Sequence, residues 1–478
     1  MKILLVKPHP RLKTISALHR LILLEPLELG YVAAAVPQGH PVRVLDLRIA
    51  GNPQRTFLRE LKNFAPDLVA FSGYTHEASR IVELAGMAKK LLPLVFVVVG
   101  GHHATVFPQD YNSDSFDAIV RGEGCAPFRS IVEARGSGAS LKGIPNVLVP
   151  GEPFDESVIN AIPCYPDLSQ VPLPRRDLWD SRFYKCIWPV EKHPDFHTIF
   201  PQVALARSSF GCTMNCAFCV VPKLCGRKHI KRPPLDVAME ISAIKPDHVY
   251  FCDDETFLDE GHARGVAEAI LSKGIKKHYF AWARSTTVNR SPDLFRFWRE
   301  AGLDAVFLGF EATTDEELRR LDKHATVAEN ERALALLKEM GIAVQVGFMV
   351  RPEFTREDFD HLGRYVKTLP QAQVTFTVYT PSPGSAAWSI EKDKFVCDPF
   401  ELHDCMHPLT PTSVSLPEFY RYFSALVSLG SRKNPLRAPG TKLRPGDIFR
   451  VCLAAWLYSR SLKRAYKDFE TVKGSFHV

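Results

Sequence analysis

The run Arg207-Ser208-Ser209-Phe210-Gly211-Cys212-Thr213-Met214-Asn215-Cys216-Ala217-Phe218-Cys219 sets three thiols at C-x3-C-x2-C on one short loop. It follows directly on the apolar run Val-Ala-Leu-Ala at 203–206, which reads as a buried strand. Three thiolates so spaced can wrap three corners of an iron-sulfur cubane, whereas an electron-transfer cluster ordinarily takes four cysteines. The fourth iron would then stand open to chemistry. Zinc is the competing reading, with Cys225 or His229 near enough in sequence to complete a tetrahedral set. Ordinary buried thiols are a third. The glycine before the motif and Phe218 inside it suit a shielded cluster better.

Downstream of this loop, strand-like runs recur at 248–251, 279–282, 305–308, 344–348 and 374–378, with helical patterns between them. The clearest helix spans 327–340, opened by a Thr326/Glu329 capping box and closed by Gly341. Six strand-helix units in succession predict a partial (β/α)6 barrel, whose chemistry sits at the C-terminal ends of its strands. Those ends carry Asp253, Asp254 and Glu255 after the second strand, Arg284 after the third and Glu311 after the fourth. A solvated turn or a purely structural role is the alternative for each. Beyond 385 the chain reads as mostly helical, and 449–469 is basic and amphipathic. There Val451, Leu453, Trp456, Leu457 and Leu462 accompany Arg460, Lys463, Arg464 and Lys467. Such a helix lies on an anionic bilayer or packs against the barrel.

Upstream, a separate alternating series has strands at 3–6, 42–45, 68–72, 95–99 and 118–120 and amphipathic helices at 27–36 and 78–92. That alternation predicts a parallel, doubly wound α/β sheet, in which ligands meet the loops after the strands. The loops read Lys7-Pro8-His9-Pro10, Asp46-Leu47-Arg48, Gly73-Tyr74-Thr75-His76, Gly100-Gly101-His102-His103 and Arg121-Gly122-Glu123-Gly124. Their glycines either admit a bulky ligand or only make tight turns. Between the two series lies a proline-rich connector containing Pro163, Pro166, Pro172, Pro174 and Pro194. The expected organisation is therefore 1–135, a linker over 136–200, a core over 201–385 and a helical region over 386–478.

At 478 residues the chain exceeds one ordinary core, and 46% hydrophobic with 24% charged residues is a folding composition without low-complexity tracts. A net charge of +7 is mild for this length, so nucleic acid is not implied. The opening MKILLVKPHP lacks a signal peptide's apolar region, and no run approaches the ~20 apolar residues of a membrane span. A soluble cytoplasmic protein is expected. In that compartment the eleven cysteines read as metal ligands and core thiols, not as a disulfide framework.

The cysteine motif and the barrel behind it resemble the radical S-adenosylmethionine (SAM) superfamily. The resemblance implies that Cys212, Cys216 and Cys219 hold a 4Fe-4S cluster whose open iron is chelated by SAM, and that reduction cleaves SAM to a 5'-deoxyadenosyl radical. It places Phe218, Asp254, Glu255, Arg284 and Glu311 around SAM, with the carboxylates receiving its amino group, Arg284 its carboxylate and Glu311 its ribose. It also implies a low-potential electron donor such as flavodoxin or ferredoxin. An α/β domain ahead of such a barrel resembles the cobalamin-dependent group, with a Rossmann-like domain whose loops receive the corrin. Arg48, Ser72, Tyr74, Thr75, His76, Gly100, Gly101, Gly122 and Glu123 are the cobalamin residues this implies. The D-x-H-x-x-G motif that supplies a histidine to cobalt is absent. Cobalt then lacks a protein ligand, His9 or His76 substitutes, or cobalamin does not bind; Arg48 or the 74–76 loop would lie under the corrin's lower face.

Several segments together look like the hopanoid C-3 methylase branch: Leu24-Glu25-Pro26-Leu27-Glu28-Leu29, Val99-Gly100-Gly101-His102, Val120-Arg121-Gly122-Glu123-Gly124, Tyr379-Thr380-Pro381-Ser382-Pro383-Gly384 and Leu416-Pro417-Glu418-Phe419-Tyr420. Val350-Arg351-Pro352-Glu353 stands where a G-x-P turn is common, which alters the pocket rim. The resemblance implies methylation of an unactivated carbon on a small-molecule or lipid substrate. Cyclisation, oxidation or ring contraction with the same cofactors is a second reading, and a non-catalytic iron-sulfur or corrinoid sensor or carrier a third. A lipid substrate would suit contact of the 449–467 helix with the inner face of the membrane.

Overall fold

The computed structural model describes residues 1–151, 153–163, 165, 168–189, 200–370, 372–397, 399–433 and 445–473. Of the connector prolines, Pro166 and Pro194 lie outside the described residues. The chain forms two compact units. The first comprises Met1–Leu12, Pro26–Asp180 and Val220–Gly226; the second comprises Lys13–Glu25, Ser181–Cys219 and Arg227–Val478.

In the first unit, β1 (Ile3–Lys7), β2 (Val42–Asp46), β3 (Leu68–Ser72), β4 (Phe96–Gly100) and β5 (Ala118–Val120) form a parallel sheet in the order β2-β1-β3-β4-β5. The near-continuous apolar sequence of β1, β3 and β4 follows from helices covering both faces, so that neither face can be polar. Ile3, Leu5, Leu68, Val98 and Ala118 share one core with Phe128 and Ile131 of the helix Cys125–Ser137. The doubly wound order reverses between β1 and β3, which opens a crevice there at the strands' C-terminal edge. Val147–Leu148, within the stretch expected as linker, adds antiparallel to β5 as β6. Two residues show no periodicity, so this strand leaves no trace in the sequence pattern.

In the second unit, β7 (Val203–Ala206), β8 (His248–Phe251), β9 (His278–Ala283), β10 (Leu303–Glu311), β11 (Ala343–Val350) and β12 (Gln373–Val378) are all parallel and sit in sequential order. Among the described residues β7 and β12 each pair on one side within this sheet, so the barrel is open, as six units imply. Its helices seat large aromatics against the strands: Trp298 is fully buried, edge-on to Phe251 at 5.5 Å, with its indole N–H donating to the Ala263 carbonyl at 3.0 Å. The helix Val327–Glu339 starts at Thr326 with the expected capping box.

The basic C-terminal stretch corrects the expectation of one continuous helix over 449–469. A helix runs Pro445–Leu462, the chain turns through Ala465–Lys467, and a short helix Asp468–Lys473 follows. The apolar residues grouped on one face in sequence also divide: Val451 and Leu462 are buried, whereas Leu453 and Trp456 are exposed. Among the described residues no helix is long and apolar enough to cross a membrane.

Candidate functional site

The cysteine loop leaves the C-terminal end of β7 and is anchored from the next strand's end. Asp253 accepts the Ser208 amide at 2.7 Å, the Ser208 hydroxyl at 2.6 Å and the Ser209 amide at 3.0 Å. Asp254 accepts the Gly211 amide at 2.7 Å. Gly211 has φ of +84°, a region that costs a side-chain-bearing residue strain. Buried Arg232 donates to the Arg207 carbonyl at 2.7 Å and to buried Glu240 at 2.6 Å, which fixes the loop's first residue. On its other side, Ala217 donates to the Leu321 carbonyl and its carbonyl accepts from Ala387, both at 2.9 Å. Phe218 packs on Ala312, Leu318, Leu321, Tyr379 and Ala387. Asp253 and Asp254 thus shape the loop, a duty that spacing alone does not reveal.

Cys216 is buried, and Cys212 and Cys219 are half-buried. Arg284, itself buried, donates from Nη1 to Cys216 Sγ at 3.3 Å and from Nη2 to the Lys323 carbonyl; its Nε is buried without a hydrogen-bond partner. Glu255 is buried beside it and accepts the Thr287 hydroxyl at 3.0 Å and the Phe257 amide at 3.3 Å. Burial outweighs those bonds and the nearby Arg284 charge and pushes the Glu255 carboxyl up to about 7. Burial likewise raises the Cys212 thiol, with the Met214 amide opposing.

Glu311 ends β10 with φ of +65° and accepts Lys323 Nζ at 2.7 Å. Lys323 Nζ also lies 5.9 Å from the centre of the Phe218 ring. Lys323 is the residue that sequence reasoning missed. It sits between Asp322 and His324, both at positive φ, in a segment without helix or strand periodicity. Its one signal is position: it lies just past the short helix Asp315–Arg320 that follows Glu311.

These residues fit a cubane with an open iron. Three thiols share one rigid loop, a guanidinium N–H already rests on one sulfur, and an unpartnered Nε and a buried carboxyl whose ionisation burial opposes suit a zwitterionic ligand. The zinc reading fares worse. Cys225 lies in the helix Val221–Cys225 with its thiol 3.6 Å from the Tyr165 hydroxyl, and His229 faces the His262 ring.

In the first unit the loops after β1, β3 and β4 meet around Tyr74. The ring is 54% exposed, carries Lys7 Nζ 4.7 Å from its centre, stacks on His76 and stands 5.9 Å from His102. Burial works against the Lys7 charge, but Glu28 and Glu77 outweigh it and raise its pKa. Burial, with His103 and His76 adding, pushes His102 down to about 4. Gly101, at φ +96°, lies where a Cβ would come within 2.9 Å of the Gly73 backbone and the Ser72 hydroxyl, so the β3 and β4 loops close only on glycine. Gly100 ends β4 itself. Thr75 bonds His103 at 3.3 Å. Gly122, also at positive φ, donates its amide to the Thr105 hydroxyl at 3.0 Å, and Glu123 Oε2 is buried without a hydrogen-bond partner. Arg48 is paired to Asp46 through Nε and Nη2 at 2.9 and 2.6 Å. A glycine-lined edge with an exposed aromatic and a buried orphan carboxylate oxygen fits a broad ligand bearing polar arms.

Comparison with known proteins covers both units. The family profile of the B12 binding domain matches residues 18–132, and that of the radical SAM superfamily matches residues 207–366. Hopanoid C-3 methylase of Methylococcus capsulatus is 30% identical over 428 residues, covering 88% of this chain and 78% of that protein. Anaerobic magnesium-protoporphyrin IX monomethyl ester cyclase of Rubrivivax gelatinosus is 26% identical over 420 residues, 85% of this chain and 74% of that one. Among solved structures, the radical SAM methyltransferase TsrM of Kitasatospora setae, with cobalamin and a 4Fe-4S cluster bound, aligns at a TM-score of 0.65. It covers 98% of this chain and 99% of its own at 17% identity, which is a likeness of fold.

Proposed function

We propose that this chain, which belongs to the cobalamin-dependent radical SAM family, is a C-methyltransferase acting on an unactivated carbon. The observation that carries the reading is the three-cysteine loop with the Arg284 guanidinium on Cys216, in a chain that also has a B12 binding domain. When bound, the cluster and SAM supply hydrogen abstraction from carbon, and cobalamin supplies the methyl group. Polar methyl transfer would not serve, because a C–H carbon without activation is no nucleophile.

The chain's own residues then divide the labour of binding and shielding. Cys212, Cys216 and Cys219 hold three irons, and the loop anchors at Asp253 and Asp254 keep them in register. Glu255 receives the ammonium of SAM: a carboxyl held near 7 by burial is one that a cation would return to its ionised form. The unpartnered Arg284 Nε turns to the SAM carboxylate, Glu311 with Lys323 approaches the ribose, and Phe218 covers the cluster. In the first unit Ser72, Tyr74, Thr75, His76, Gly100, Gly101, Gly122 and Glu123 line the cobalamin site, with Arg48 held at its margin by Asp46. A low-potential donor of the flavodoxin or ferredoxin type supplies the electron. The substrate is a small molecule or lipid; the hopanoid methylase likeness favours a lipid skeleton, and Arg351 stacked 4.8 Å from the Tyr379 ring centre forms part of the barrel rim such a substrate meets.

The test is anaerobic reconstitution with cobalamin, reductant, a hopanoid mixture and SAM bearing a deuterated methyl group. The expected products are S-adenosylhomocysteine, 5'-deoxyadenosine and a deuteromethylated lipid. The cyclase likeness motivates the second reading, and 5'-deoxyadenosine without S-adenosylhomocysteine would favour it over methyl transfer.

Arg284 carries a separate prediction. A hydrogen bond to a cysteinyl sulfur stabilises the more negative, reduced cluster. Arg284→Gln is therefore expected to lower the cluster's midpoint potential in an EPR-monitored redox titration, without altering its iron content. An unchanged potential would mean that the N–H···S contact has no bearing on the cluster.

A further inference from the structure

The helix Pro445–Leu462 has two apolar faces, and a single core can use only one. Val451, Ala454, Tyr458 and Leu462 are buried, with the Tyr458 hydroxyl donating to Met406 Sδ at 3.2 Å. At 100° per residue, Phe449, Leu453, Trp456, Arg460 and Lys463 fall on the opposite side. There Phe449 is 69% exposed, Trp456 55% and Leu453 44%, and the Arg460 guanidinium lies 5.4 Å from the centre of the Trp456 ring. A packing helix keeps that side polar.

Charge indicates what covers it. Between Arg432 and Lys473 the sequence has eleven Lys and Arg against three Asp and Glu. This stretch therefore accounts for all of the chain's net charge of +7, and the rest is close to neutral. Exposed Arg450, Arg460, Lys463, Arg464 and Lys467 are its described members on and directly after the helix. Basic charge alone would equally suit nucleic acid. Exposed Phe, Leu and Trp between those charges favour a surface with an apolar interior and an anionic face.

We propose that the outer face of Pro445–Leu462 docks on an anionic lipid bilayer, with Phe449, Leu453 and Trp456 entering the acyl boundary and Arg460, Lys463 and Arg464 meeting headgroups. The helix lies on the surface, since no described helix is long and apolar enough to cross. The inference goes beyond methyl transfer and does not depend on the cofactors. Vesicle binding can therefore fail while the chemistry stands, and the reverse.

The experiment is cosedimentation of the full-length protein with phosphatidylcholine vesicles, with and without phosphatidylglycerol. Binding is expected on the anionic vesicles, at least about tenfold weaker on neutral ones, and weakened by salt. The triple substitution F449S/L453S/W456S and the pair R460E/K463E should each lose about tenfold or more, with circular dichroism and iron content unchanged. Three results would overturn the proposal. One is no binding by the unaltered protein. Another is equal binding by the variants. The last is self-association or duplex DNA binding in the absence of lipid that the triple variant abolishes, which would make a second copy or nucleic acid the occupant.

Discussion

Cys216→Ala is expected to leave a folded chain that neither retains a 4Fe-4S cluster nor cleaves SAM reductively. Cys216 is the most enclosed of the three thiols, and it is the one on which Arg284 donates. Removing one corner ligand from a site with only three leaves the cubane no protein substitute on that loop. The broad visible absorbance after anaerobic reconstitution should disappear, and 5'-deoxyadenosine should fall to background. The alanine also strands a buried guanidinium, at a cost of about 1–3 kcal/mol. Cys212→Ser, at a half-buried position, separates loss of the cluster from loss of stability and should give the same chemical result. Cys225→Ala is the control, because that thiol is engaged near the Tyr165 hydroxyl and should leave iron content intact. Cluster retention by the Cys216 variant, or its loss in the Cys225 variant, would overturn the assignment of ligands.

Sequence located β3, β5, β7 and β8 to the residue. In β3, β5 and β7 every position is apolar or small, so the run of Val, Ile, Leu, Ala and Phe is itself the strand, and β8 opens on half-buried His248 and continues as three buried residues. β10 is longer than expected because its ends are polar and yet enclosed. Asp304 is buried and paired with His278 at 2.7 Å and Arg299 at 3.3 Å, and half-buried Glu311 is paired with Lys323. A polar residue inside a strand is readable only once its partner is known, and these partners come from other elements. The same holds at the site. The cysteines announce themselves by spacing on one loop, and Glu255, Arg284 and Glu311 by standing at strand ends. Lys323 and the anchoring duties of Asp253 and Asp254 depend on which carbonyl and amide groups the fold brings to them. The C-terminal helix failed for a related reason: its sequence carries enough apolar residues for two faces, and only packing tells which one the barrel takes.

His407→Leu is expected to have the largest effect on stability of any single change outside the cysteine loop. The ring is fully buried, with Nδ1 2.9 and 3.0 Å from the two oxygens of Asp404, whose side chain is equally enclosed. Nε2 stands 3.5 Å from Asp468, an ion-pair distance without hydrogen-bond alignment, and Asp468 also accepts the Thr14 hydroxyl at 2.6 Å. One imidazolium thus ties the Asp404 loop, the last described helix and the Lys13–Leu18 helix together. Burial alone would lower its pKa, but the charge of Asp404 and the bonds to it, with the charge of Asp468 beyond, outweigh this and raise it to about 9. Leucine fills similar space yet leaves a carboxylate buried without its cation, which costs about 3–5 kcal/mol. The sign of the pH dependence follows from the raised pKa. The folded state binds the proton more tightly than the unfolded chain, whose histidine titrates near 6.5. The contribution, about 3 kcal/mol for such a shift, is therefore complete below that pH and disappears as pH rises through about 9. Neighbouring Tyr420 and Tyr458 are both raised by burial and stay neutral across that window, so they do not mask it. Urea unfolding of both proteins between pH 6 and 9.5 should show the difference between them shrinking as pH rises. A difference that stays constant would mean that His407 is neutral in the folded protein and is held to Asp404 by hydrogen bonding alone.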